Sequence, residues 1–232
     1  MIAGVTATRG ITRRCTRRRP RRSRAAAGAG ERQRCRISDI VETLEEKIRR
    51  VTQEDVAIVS YDPTWPEVFL QEKAHLLSCL PPELITRIEH FGSTAVPGLA
   101  AKPIIDILVE VTDLEATKER IVPVLESQQY EYFCRPTHGD DGPPFYAWFI
   151  KRHQVTGART HHIHMVERQF IEHWERLLFR DYLVQHPATA KEYEALKLYL
   201  AAAYPNDRIA YTRGKTDFIN SVARLASTRE SQ

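Results

Sequence analysis

Apolar positions along the chain change period several times, and each change marks a predicted element. Ile40, Val41, Leu44, Ile48 and Val51 recur at helical spacing behind a capping box of Asp39 and Glu42, so the ordered chain is expected to open with a helix near Ser38. "VAIVSYDPTW" reads as a short strand. Thr64 and Glu67 form a second capping box, with Pro66 in the first turn of a helix reaching about Leu80, where Pro81-Pro82 stops it. Period-two runs follow at "TRIEHFG", "KPIIDILVEV", "QYEYFCR", "FYAWFIKRH" and "HHIHMVE". A helical stretch from Leu114 to Leu125, with Pro123 near its end, divides the second run from the third, and the loop "PTHGDDGPP" divides the third from the fourth. From Gln169 the pattern turns helical in three pieces, about 169–185, 188–203 and 214–227. A helix-led mixed sheet of about five strands with flanking helices and a helical C-terminal section is an α+β organisation.

Composition changes this picture at one end only. The 232 residues, 42% hydrophobic, suit one core of moderate size, and no apolar run approaches the roughly 20 residues that span a bilayer. The net charge of +4 divides unevenly: residues 1–36 hold twelve arginines and one acid, leaving −7 on the other 196. Residues 1–37 lack the large apolar residues of a core and are expected to be a disordered basic arm, followed by a folded domain over 38–232. The arm is compatible with a plain solvated extension, an organelle transit peptide, or a nuclear signal or loose nucleic-acid contact through Arg17–Arg22. The acidic body gives no support for a nucleic-acid surface. Cys15, Cys35, Cys79 and Cys134 sit at unrelated spacings, which points to free thiols in a reducing, cytoplasmic setting.

Candidate chemistry gathers in "HFGSTAVPGLAAKPIIDILVEV". Gly92-Ser93 ends a strand, where glycine permits a sharp turn and exposed amides with the serine hydroxyl can hold phosphate oxygens. Asp106 lies in an apolar run, sharing a strand face with Leu108 and Glu110; a carboxylate there requires a partner such as a metal ion, Lys102 or an arginine. In "RTHHIHMVE", His162 and His164 share the opposite face from His161 and Ile163, a spacing that can ligate one metal with a carboxylate from a neighbouring strand. In "DRIAYTRGKTDFI", Arg208, Arg213 and Lys215 can meet a polyanion, while Tyr211 can stack on a ring or pack as core.

These segments, with "VSYDPTWPEVFLQEKAHL" and "FRDYLVQHPATAKEYEALKLYLAAAY", resemble the GrpB family (UPF0157) of nucleotidyltransferase-like proteins over about residues 56–226; a domain of this kind also occurs fused to some dephospho-CoA kinases. The resemblance implies a nucleotidyltransferase-like fold in which a Gly-Ser turn and acids spaced one residue apart hold divalent cations, Mg²⁺ or Mn²⁺, for nucleotidyl or phosphoryl transfer. On that pattern Gly92 and Ser93 match the phosphate turn and Asp106 the first acid, with Asp106, His162 and His164 in the catalytic and metal roles. Leu108 stands where the second acid belongs, and Glu110 is roughly 6.5 Å further along the strand. Lys102, Arg208, Tyr211 and Lys215 would face a nucleotide or other phosphorylated small molecule. Two other outcomes stay open: a non-catalytic nucleotide- or phosphometabolite-binding module linked to coenzyme A metabolism, or a single-metal hydrolase on Asp106, His162 and His164.

Overall fold

The computed structural model describes residues 42–136 and 145–230. The basic arm, the Asp39 cap, Cys15 and Cys35, and most of the "PTHGDDGPP" loop lie outside the described residues.

The first described helix, α1 (Leu44–Thr52), is capped at Thr43: its hydroxyl accepts the Glu46 N–H, and the Glu46 carboxylate accepts the Thr43 N–H. The same S/T-x-x-E chemistry recurs a turn beyond the predicted box. "VAIVSYDPTW" forms no strand; it contributes one bridge, Val59 to Ala101. Asp62 accepts both the N–H and the hydroxyl of Thr64, so Thr64 opens α2 (Trp65–Cys79) without capping it by its side chain.

Five strands form one mixed sheet in the order β1-β2-β5-β4-β3: β1 (Ile85–Phe91), β2 (Ile105–Val111), β3 (Glu131–Pro136), β4 (Phe145–Arg152) and β5 (Arg159–Glu167). β2 and β5 run parallel, while the other three pairings are antiparallel. The α+β prediction therefore stands. The helix predicted between β2 and β3 divides into α3 (Leu114–Arg120) and α4 (Val122–Ser127), because Pro123 has no N–H to continue the first and suits the first turn of the second. The C-terminal section is α5 (Ile171–Gln185), α6 (Pro187–Ala203), α7 (Arg208–Arg213) and α8 (Thr216–Glu230); α7 is an addition to the predicted set.

Central β2 and β5 are covered on both faces, and period two sorts their residues. Ile105, Ile107, Val109, Ile163 and Met165 pack with Leu76, Ile121 and Leu125 on one side. Leu108, Val166, Trp148, Phe91, Val51 and Leu177 form the core of the other, beneath α1 and α5. Asp106 and His162 belong to this second face, at the N-terminal end of the parallel pair. Cys79 and Cys134 are free thiols. Among the described residues no helix is long and apolar enough to cross a membrane.

Candidate functional site

β1 ends at Phe91, opposite Asp106, and the chain turns at Gly92 with φ 74° into a short 3₁₀ turn, Ser93–Ala95. A Cβ at Gly92 would lie 2.6 Å from Asp106 Oδ2. Glycine is thus required twice, for the left-handed backbone and for its closeness to the carboxylate. The buried Thr94 hydroxyl donates to the Ile104 carbonyl (3.3 Å), tying the turn to the entry of β2. Ser93 reaches the buried Tyr193 phenol on α6. The predicted Gly-Ser turn and Asp106 are therefore adjacent.

Parallel register puts His162 beside Asp106, with Nδ1 3.0 Å from Oδ1. Arg159 Nη1 lies 3.3 Å from His162 Nε2. A guanidinium only donates, so Nε2 accepts and Nδ1 carries the proton given to Asp106. Burial pushes the His162 pKa down to about 4, with Lys102 and Arg159 acting the same way, so the ring is neutral at pH 7. Arg159 also donates to the Val51 carbonyl and pairs with Glu54 at 2.5 Å. Glu54 pairs further with Arg152 at 2.5 Å and Arg208 at 3.6 Å. A continuous polar row, Glu54–Arg159–His162–Asp106, thus links the end of α1 to the Gly-Ser turn. Burial alone would raise the Asp106 pKa, but the His162 hydrogen bond and the charges of Lys102 and Lys215 outweigh it, and the carboxyl titrates below its usual range.

The second group of charges is cationic. Lys102 and Lys215 place their ammonium groups 5.3 and 4.4 Å from the centre of the Tyr211 ring. Tyr211 itself is 1% exposed, so its ring is core and the lysines pack on it. Burial, reinforced by Lys215 and Arg208, brings Lys102 down to about 7; burial and Arg208 bring Lys215 to about 8, with Asp106 opposing. Neither ammonium has a hydrogen-bond or ion-pair partner among the described residues. The placement of Lys215 depends on the α7–α8 elbow: a Cβ at Gly214 would meet the Leu200 methyl at 2.5 Å, so glycine lets the elbow close on α6. Arg208 is held to the Glu54 and Asp55 carbonyls at 3.1 and 3.2 Å, and Arg213 is exposed.

The remaining predicted residues lie elsewhere on the same face. Glu110 accepts the Thr86 hydroxyl at 2.6 Å, four residues up the strand from Asp106. His164 sits in an aromatic surround, 5.2 Å from Phe91, 5.4 Å from Tyr146 and 6.1 Å from Trp148 between ring centres. Leu108 is fully buried in the core. The donors present do not fit a two-ion carboxylate site: one acid is in place, the second position is apolar, and both nitrogens of His162 are engaged. Among the described residues no three His, Cys, Asp or Glu side chains are grouped to hold a metal ion.

Several structurally important residues escaped sequence reasoning. Glu54 and Arg159 complete the polar row. On α6, Glu194 accepts the Ala100 N–H at 2.7 Å while the buried Lys197 donates to the Ala100 carbonyl, fixing the loop before Lys102. An arginine three residues before His162 was the only local signal for Arg159. An open cleft of about 630 Å³ adjoins the site; Lys102, Arg159 and Arg208 are among its lining residues, with Ala57, Pro103 and Ile104.

Comparison with known proteins adds a lineage to this geometry. The profile described as GrpB protein matches residues 55–224. The glutamate-rich protein GrpB of Alkalihalophilus pseudofirmus is 38% identical over 172 residues, covering 74% of this chain and 96% of that protein. UPF0157 protein YqkA of Bacillus subtilis is 40% identical over 171 residues, 74% of this chain and 47% of its own length, so the match spans about half of that relative. A dephospho-CoA kinase of Mycolicibacterium paratuberculosis is 27% identical over 198 residues, 77% of this chain and 47% of the kinase. The crystal structure of conserved protein GrpB from Enterococcus faecalis superposes with a TM-score of 0.65 at 34% identity, covering 76% of this chain and all of that one.

Proposed function

The chain belongs to the GrpB family, and from that premise we propose that it binds a phosphorylated small molecule of the nucleotide class where the Gly92-Ser93 turn meets Lys102 and Lys215. The observation that carries this reading is the pair of half-buried ammonium groups with no hydrogen-bond or ion-pair partner among the described residues, the Asp106 carboxylate acting on them only from a distance. Partly buried cations are costly unless an anion joins them, and a phosphate between the two lysines supplies one. The Gly92-Ser93 turn, adjacent to the Asp106 carboxylate that both lysines act on, is the kind of backbone that offers amide donors to an oxyanion. The adjoining cleft is of a size that takes a nucleoside-sized body. Similarity to a protein named as a dephospho-CoA kinase favours the same ligand class.

A second reading has one specific support. Asp106 is ionised, and its Oδ2 lies beneath Gly92 with no hydrogen bond among the described residues. One divalent cation, Mg²⁺ or Mn²⁺, shared by this oxygen and the ligand's phosphate would serve metal-dependent nucleotidyl or phosphoryl transfer.

Calorimetric titration of the full chain with ATP, GTP and pyrophosphate, in EDTA and then in Mg²⁺, tests the proposal. The expected result is metal-independent binding that Lys102→Met and Lys215→Met each weaken about tenfold or more, the loss of one charged hydrogen bond. Binding indifferent to both lysines, or no binding at all, would overturn it. Binding that requires Mg²⁺ selects the second reading.

A further inference from the structure

We propose that the same sheet face holds a second oxyanion subsite, in which Arg176 of α5 supplies the charge and Trp148 and His164 supply neutral donors to a small molecule's carboxylate or phosphate. Three observations converge on it. Trp148 and His164 are direct cross-strand partners on β4 and β5, 7% and 8% exposed, and Trp148 Nε1 and His164 Nδ1 are buried with no hydrogen-bond partner among the described residues. An indole N–H can only donate, and buried donors in native proteins are ordinarily matched. Arg176 is the second observation: it is half-buried, acts electrostatically on His164, and has no ion pair among the described residues. The third is a local excess of positive charge. Arg135 lies 4.8 Å from the centre of the Trp148 ring and acts with Arg176 on His164, so two cations flank the orphan donors, an arrangement that suits an acceptor-rich ligand.

The subsite is separate from the lysine pair, although Asp106 feels the charges of both. It does not depend on the phosphate reading above. His164, predicted as a metal ligand, acquires a different use here. Burial and the nearby Arg176 hold its pKa well below the ordinary histidine range, so the ring is neutral and, as the Nδ1–H tautomer, donates beside the indole.

The test is a ¹⁵N-correlation titration of the full chain, following the indole N–H signals of its three tryptophans, with Trp148 assigned through Trp148→Phe. Inorganic phosphate and acetate are the probes, with chloride at matched ionic strength as control. A saturable shift of the Trp148 indole with either oxyanion and not with chloride is expected. Arg176→Met should weaken it about tenfold and Arg176→Lys less, while Lys215→Met should leave it unchanged. A response to phosphate alone, or to acetate alone, identifies the kind of group the subsite takes. No shift with either probe, an equal shift in chloride, indifference to Arg176→Met, or loss in Lys215→Met would each overturn the proposal. Should Arg176→Met fail to fold, the wild-type and Arg176→Lys titrations decide.

Discussion

The row Glu54–Arg159–His162–Asp106 and the pair Lys102–Lys215 stand side by side at the ends of β2 and β5, yet they are completed differently. In the row every group meets a partner: carboxylate to guanidinium, guanidinium to imidazole, imidazole to carboxylate. In the pair, two ammonium groups rest on one tyrosine ring and repel each other and Arg208. A completed polar network fixes geometry, whereas an incomplete one leaves room for a ligand to finish it. The row therefore positions Asp106 and the turn, and the pair is the part left for the proposed ligand to complete.

Breaking the row should cost the most. Glu54→Gln leaves Arg159, 4% exposed at its side chain, without its carboxylate, and should cost about 3–5 kcal/mol. Thermal unfolding should show a fall of roughly 10 °C for a chain of this size, and a fall of a degree or two would remove the row from the scaffold.

Acidification strikes the same region next. Burial holds His90, His161 and His162 at about 4, so between pH 6.5 and 4 the unfolded chain binds protons that the native state refuses. Stability should fall through that window, by about 2 kcal/mol for each histidine and so about 6 kcal/mol at pH 5. Lys102 and Lys197 at about 7, with Lys215 at about 8, have the opposite position on the scale. Above pH 7 they release protons that the unfolded chain keeps until about 10.4, so ligand-free stability should rise toward pH 10. Bound phosphate should flatten that rise. Melting temperatures from pH 4.5 to 9.5, with and without pyrophosphate, check both limbs.

Gly92→Ala probes the joint between the regions. Its positive φ and the 2.6 Å approach to Asp106 Oδ2 predict about 1–3 kcal/mol of destabilisation and weaker ligand binding. Lys215→Met should have the smallest effect on the free protein: replacing an unpaired ammonium by an apolar chain on Tyr211 should leave the stability within about 1 kcal/mol of wild type, or raise it, while ligand affinity falls. A large loss of stability would mean that Lys215 is paired structurally.

The sheet was legible because period-two patterning survives on both faces of β2 and β5, and Asp106 was legible as a carboxylate inside an apolar run. Gly92 announced a turn, though only the structure shows the carboxylate under its Cα. The partners were not legible. Arg159 meets the Val51 carbonyl across 108 positions of sequence, and Arg208 meets Glu54 across 154; no local pattern encodes such pairings. Sharing a strand face also proved weaker than sharing a site. His162 and His164 lie on one face, but the first sits in the polar row and the second among aromatic rings. The segment "VAIVSYDPTW" reads as a strand from its apolar opening run, Val56 to Val59, yet a single bridge and the Asp62–Thr64 turn take it out of the sheet.

The most direct test of the account is the sign of one substitution. Asp106→Asn removes the carboxylate nearest the lysines while keeping a side chain of the same shape. Binding of pyrophosphate in EDTA, measured by calorimetry, should tighten in this variant, because a repelling charge has left a site that cations built. Binding that weakens or disappears would show that the carboxylate itself carries the ligand and would contradict the account.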